Sequence, residues 1–326
     1  MPRYLQIVSA FIIGGLIGWG VAASWSSPRS DDEPNSTEIR QGGGYDFVNP
    51  LLECESSDGT GDRLLSIPKR EVQEIVDRHL RNGDVTHVSV YFRDLDNGPW
   101  FGIDERAQFA PQSLLKVPLM MAYLYTAEDD PGVLDAPIVF DPALHGLPSF
   151  SSDETLLVVG ASYPTWDLIE RMVVDSDNGA FGTLSVSIDQ AIVEEVHRDL
   201  GIAYPDVDSP TNFIDVKTYA SLYRVLYNAS YVSRGLSERA LELLSRTRFA
   251  DGLVAGAPTG TRIAHKYGIR EIDDASGQQL HDCGIIYYTG NPSLLCIMTQ
   301  GDDIPTLRDI IREITERISI EIAGTH

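Results

Sequence analysis

A chain of 326 residues, 43% hydrophobic and 22% charged, has the composition of an ordinary globular protein. It is long enough for one large domain with a substantial core, or for two modest ones. Its 48 Asp and Glu against 25 Lys and Arg give a formal charge of -23. That balance excludes a nucleic-acid partner, which demands clustered cations, and opposes docking of a folded domain on anionic lipid.

In chain order, residues 4–25 form an almost uninterrupted apolar run. As a helix its 22 residues would extend about 33 Å, enough to cross a hydrocarbon core. Arg3 precedes the run, and Asp31, Asp32 and Glu33 follow Arg29 soon after it. This bias favours an inside N-terminus and an exported remainder. A cleaved signal peptide is the other reading, with Val21-Ala22-Ala23-Ser24 as a small-residue site. Residues 1–26 are therefore read as a transmembrane anchor or signal segment. Residues 27–66, rich in Ser, Asp, Gly and Pro, are read as an extracytoplasmic linker, and 67–326 as the working domain.

The domain opens with a helix near 69–81, whose Val72, Ile75, Val76 and Leu80 share a face before Gly83. Residues 85–95 alternate as a strand, Asp96-Asn97-Gly98 turns, and 100–103 returns. Helical spacing then takes over, in segments near 112–127, 164–175, 185–200, 214–228 and 237–248. Strand patterns resume at 261–267, 280–288 and 293–300, with Thr289-Gly290-Asn291-Pro292 as the last turn. A closing amphipathic helix carries Leu307, Ile310, Ile311, Ile314 and Ile318. Short connections make the sheet antiparallel. The expected class is α+β: a five-stranded antiparallel sheet flanked by the terminal helices, with an inserted all-helical lobe. Cys283 and Cys296 fall on neighbouring strands; they read first as reduced small hydrophobes, and a disulfide across the hairpin is the other reading. Cys54 lies in the linker. No CxxC, HExxH or His cluster is present among the seven histidines, so neither a metal nor a cofactor is implied.

Three motifs fall at the seams of this outline. In Ser113-Leu114-Leu115-Lys116, Pro111 marks a helix start, so Ser113 enters the first turn where free N–H groups favour an oxyanion. Lys116, three residues on, shares its face and can accept the serine proton if partly desolvated. Alone, this spacing arises by accident about once in a chain this size. Ser176-Asp177-Asn178 follows a helix end: Ser176 can relay a proton to a leaving group, and Asn178 can offer an amide to a substrate backbone. Lys266-Tyr267-Gly268 lies on the first returning strand. Lys266 can hold Ser176 and attract a substrate carboxylate, Gly268 lets substrate approach the strand edge, and Ile269 N–H can join Ser113 N–H in an oxyanion hole. Together they hold the parts of acyl transfer without a catalytic histidine.

This ordered trio resembles that of class A β-lactamases and penicillin-binding proteins, and the similarity extends over about residues 67–322. The stretches 109–118, 168–180 and 281–286 are similar to the family's nucleophile helix, second motif and strand after the third. The resemblance implies a two-lobed fold, acylation of Ser113, proton handling by Lys116 and Ser176, and substrate binding by Asn178 and Lys266. Two departures stand out. The stretch 203–212 has no Glu where class A enzymes carry the residue that activates the deacylating water; only Asp206 and Asp208 are acidic there. Tyr267 stands where the family has Thr or Ser, and a tyrosine carries its hydroxyl several ångströms further out. Three expectations follow. The first is an exported, membrane-tethered serine hydrolase acting on β-lactams or related amides. The others are a D,D-peptidase or transpeptidase acting on peptidoglycan peptides, and a non-catalytic sensor domain that keeps the fold.

Overall fold

The structure is a computed structural model; it describes residues 39–40, 44–53, 66–96, 98–144, 156–204, 211–271 and 277–323. The apolar run at 4–25, most of the linker and Cys54 lie outside the described residues. Among the described residues no helix is long and apolar enough to cross a membrane.

The domain opens with helix α1 (Ser66–Asn82), followed by strands β1 (His87–Asp94) and β2 (Trp100–Ile103). The helical insertion holds α2 (Lys116–Asp129), α3 (Thr165–Val174), α4 (Asn178–Ser187), α5 (Gln190–Asp199), α6 (Val216–Tyr227) and α7 (Arg234–Leu244). Strands β3 (Arg262–Arg270), β4 (Gln278–Tyr288) and β5 (Asn291–Gly301) and helix α8 (Ile304–Ala323) close it. The sheet is five-stranded and antiparallel in the order β2-β1-β5-β4-β3, as the alternation and short turns required. Its β1–β5 contact joins the two halves of the sequence, so β3 becomes the free edge facing the insertion.

Each sheet face has its own core because side chains alternate along a strand. Val88, Val90 and Phe92 of β1 meet Ile297 and Leu295 of β5 on one face. Val72, Ile75 and Val76 of α1 and Leu307, Ile310, Ile311 and Ile314 of α8 cover it. Burying any one of these aliphatic side chains stabilises the fold by roughly 1.5–3 kcal/mol. The opposite face, with Cys283, Ile285, Leu294 and Met298, packs against the helical lobe. At the centre of that lobe runs α2, buried on all sides from Lys116 to Leu124.

Three local expectations are corrected. The stretch 185–200 is two elements, since Asp189 accepts from Ala191 N at 3.0 Å and starts α5 after α4 has ended. The last hairpin turns on Thr289-Gly290 alone, with Gly290 at φ 77°, and Asn291 and Pro292 already belong to β5. Cys283 and Cys296 form a disulfide rather than two reduced thiols, because the β4–β5 register sets them directly opposite each other.

Candidate active site

The nucleophile turn does not begin as an α-helix. Residues Gln112–Leu115 form a turn of 3-10 helix, and α2 starts only at Lys116. Pro111 sits just before it, as expected of a helix start, and its carbonyl accepts from Leu114 N at 2.9 Å. Gln112 is held at φ 49°, in the left-handed region that costs a non-glycine residue about 1–2 kcal/mol. Neighbours distant in sequence restrain this strained turn. Ala110 N donates to Gln279 Oε1 at 3.0 Å, and His281 Nε2 donates to Ala110 O at 3.0 Å. Tyr219 of α6 donates to Leu114 O at 3.0 Å. Strand β3 supports the turn from the other side. A Cβ on Gly268 would lie 2.9 Å from Pro111 O and 3.2 Å from Leu114 Cγ. Gly268 therefore admits the protein's own nucleophile turn to the strand, where sequence reasoning had it admit substrate. This close approach brings Ser113 and Ile269, both half-buried, to one stretch of the β3 edge.

Ser176 lies two residues beyond the end of α3 and is also left-handed, at φ 56°. The next residue, Asp177, starts α4 by accepting from Ala180 N at 2.8 Å. Two lysines converge on Ser176. Lys116 Nζ donates to its carbonyl at 2.5 Å and to its Oγ at 3.0 Å, and also to Asn178 Oδ1 at 2.8 Å. Lys266 Nζ donates to the same Oγ at 2.9 Å and to Tyr267 O at 3.1 Å. So Lys116, Ser176, Asn178 and Lys266 form one hydrogen-bonded cluster, while Ser113, Gly268 and Ile269 lie where the turn before α2 meets strand β3.

Both lysines are buried, Lys116 at 2% exposure and Lys266 at 0%. Sharing one hydroxyl keeps their ammonium groups within about 6 Å, where two unit charges repel by roughly 3 kcal/mol at an effective dielectric of 20. Burial first, and then the charge on Lys116, hold Lys266 well below the usual lysine range, with Asp282 opposing. The pair therefore holds its last proton less tightly than two separate lysines would, and the Ser176 hydroxyl connects its two members. Complete burial puts Lys266 behind Ser176, where it donates to that hydroxyl.

Tyr267 does not project outward. Its ring stacks on Phe249 at 4.2 Å between centroids, and Lys266 Nζ lies 4.0 Å from the ring centre. Burial raises its hydroxyl above the ordinary tyrosine range, and a hydrogen bond with Ser176 works in the opposite direction. Phe249, His281, Gln279 and Tyr219 are site-supporting residues that sequence reasoning missed. They carry no local motif and reach the site only through sheet register and helix packing. Asp206 and Asp208 lie outside the described residues. Among the described residues no cluster of His, Cys, Asp or Glu is arranged to hold a metal.

The model of the beta-lactamase enzyme family matches residues 68–322. No curated protein matches the sequence. Among solved structures, PBP-A is similar at 20% identity and a TM-score of 0.68, covering 80% of this chain and 97% of that one. A mutant of PBP-A, solved as an acyl-enzyme complex with penicillin G, matches equally. A beta-lactamase from Chitinophaga pinensis has 20% identity and a TM-score of 0.68 over 78% of this chain and 99% of that one. One from Xanthomonas campestris pv. campestris has 18% identity and a TM-score of 0.65 over 79% and 98%. At these identities the likeness carries the fold.

Proposed function

The chain belongs to the beta-lactamase enzyme family, and from that premise we propose that it is a serine hydrolase that opens β-lactams or related amides through an acyl-enzyme on Ser113. The observation that carries this reading is the Ser176 hydroxyl held between Lys116 Nζ and Lys266 Nζ at 3.0 and 2.9 Å. Ser113 Oγ attacks the amide carbonyl as its proton passes to the lysine pair, with Lys116, three residues along the same turn, as the base. The oxyanion is met by the N–H groups of Ser113 and Ile269. When the tetrahedral carbon collapses, Ser176 protonates the departing nitrogen and is resupplied by the lysines. Asn178 orients the substrate backbone.

Deacylation decides between two activities. The stretch 203–212 lacks a Glu to activate water, which favours a slow second half-reaction and a penicillin-binding D,D-peptidase or transpeptidase acting on peptidoglycan peptides. PBP-A, similar in fold, was captured as an acyl-enzyme with penicillin G in mutant form. We read the site as lying outside the cytoplasm, tethered by the apolar run at 4–25. The Cys283–Cys296 disulfide suits an oxidising compartment.

The test is intact-mass spectrometry of the full chain during reaction with penicillin G, beside its Ser113→Ala variant. One penicilloyl adduct, absent from the variant, is expected. A long-lived adduct selects the D,D-peptidase reading, and rapid turnover selects the lactamase. No adduct and no hydrolysis would overturn both and leave the non-catalytic sensor.

A further inference from the structure

Away from the catalytic constellation, the outer side of α6 borders a recess of about 290 Å³. Tyr91, Leu200 and Leu294 give it apolar walls, and three cations, Arg106, Lys217 and Arg224, stand around it. Only 25 of the chain's charged side chains are basic against 48 acidic. Three charged residues drawn at random from that set would all be basic only about one time in 27, and such a cluster costs repulsion unless something offsets it.

Two of the cations, Lys217 and Arg106, have ordering contacts, and a single carboxylate reaches the cluster among the described residues. Lys217 and Arg224, with Ser221 between them, are spaced four and three residues apart on one face of α6. Lys217 Nζ sits 3.7 Å from the centre of the Trp100 ring, which orders the ammonium without removing its charge. Arg106 Nη1 lies 3.4 Å from Thr218 Oγ1 and 3.7 Å from Asp215 Oδ1. Asp215 is the single carboxylate paired with the cluster among the described residues. Both its oxygens are already engaged, accepting from Thr218 N and Thr218 Oγ1 at 2.8 Å each. Neither Lys217 nor Arg224 makes an ion pair among the described residues.

We propose that this recess binds a phosphate-bearing ligand through Arg106, Lys217 and Arg224. A tetrahedral, multiply charged group with several strong acceptor oxygens suits two guanidinium forks and one ammonium better than a single carboxylate does. The volume exceeds that of phosphate alone, and its apolar walls take the organic part of a phosphate ester. The overall charge of -23 repels extended polyanions at long range, so the site favours a small ligand or one isolated headgroup. The opposite face of α6 carries buried Tyr219, whose hydroxyl holds Leu114 O beside the nucleophile, so one helix backs both sites.

The test is calorimetric titration of the full chain, in neutral detergent micelles and low-salt Tris buffer, with pyrophosphate and separately with citrate. Co-sedimentation with phosphatidylglycerol vesicles, against phosphatidylcholine vesicles, gives the headgroup arm. Saturable one-to-one binding of pyrophosphate is expected, weakened at least about tenfold when Lys217→Gln and Arg224→Gln are combined. Arg224→Lys is expected to lose less, and the acylation rate of Ser113 is expected to stay unchanged. Selective binding to phosphatidylglycerol that the same double variant abolishes supports the phosphate chemistry with a lipid as its source. Equal affinity for citrate, binding that survives in the double variant, or no binding in either arm would overturn the proposal.

Discussion

At the scale of single residues, the proposed chemistry rests on two lysines sharing the Ser176 hydroxyl. A buried lysine whose proton affinity is lowered is neutral where an ordinary one is charged, and it regains the proton as pH falls. The acylation rate of Ser113 is therefore expected to rise with pH through the pair's apparent pKa. Lys266→Arg, which fixes a permanent cation there, is expected to slow acylation about 100-fold and flatten that limb in a stopped-flow pH profile. Tyr267→Thr is expected to speed acylation by carboxylate-bearing penicillins about tenfold, the worth of one added hydrogen bond. It also removes the stack on Phe249, and a rate unchanged in stopped flow would show that the tyrosine does not limit penicillin recognition. His281 governs stability instead. Burial lowers it to about 4 from its ordinary 6.5, so the unfolded chain takes up its proton first. The native state is then expected to lose about 3 kcal/mol as pH falls from about 6.5 to 4, with the loss complete only below the folded pKa. Urea titrations at several pH values would show this slope, and His281→Gln should flatten it.

Among elements, the contact between β3 and the nucleophile turn is the tightest constraint. Gly268→Ala would drive a methyl group against Pro111 O, and the turn, already strained at Gln112, has no slack to yield. A loss of about 1–3 kcal/mol in stability is expected, with an acylation rate lowered at least tenfold. Residues 46–48 form a second clamp. Glu238 of α7 accepts from the backbone N–H groups of Asp46, Phe47 and Val48, with bonds of 2.6 to 3.1 Å. The Phe47 ring packs edge-on against Tyr287 of β4, and the Arg262 guanidinium covers it at 4.7 Å. Glu238→Ala is expected to cost about 2 kcal/mol in urea unfolding and to expose those three amides to hydrogen exchange. The clamp docks residues 46–48, in the middle of the stretch read from sequence as a linker, on the domain.

Across the whole molecule, a sheet assembled from both ends of the chain and a helical lobe inserted between them leave the β3 edge facing the insertion. The sequence made much of this legible. Strand-like runs and turn residues marked all five strands, three-four spacing marked most of the helices, and the terminal helices cover the sheet face assigned to them, since burying each apolar stripe has one economical solution. Ser113, Lys116, Ser176 and Lys266 were identifiable because their chemistry comes in short ordered motifs. Tertiary structure alone decided what those residues touch. Register put Cys283 opposite Cys296 and Gly268 against Pro111. Packing turned Tyr267 onto Phe249 and buried Lys266, and α6 brought Tyr219 to the nucleophile turn on one face and two cations to a recess on the other. Periodicity records which side of an element is apolar, a local property written in neighbouring residues. Contacts between residues a hundred positions apart depend on how those elements meet, which no local pattern encodes.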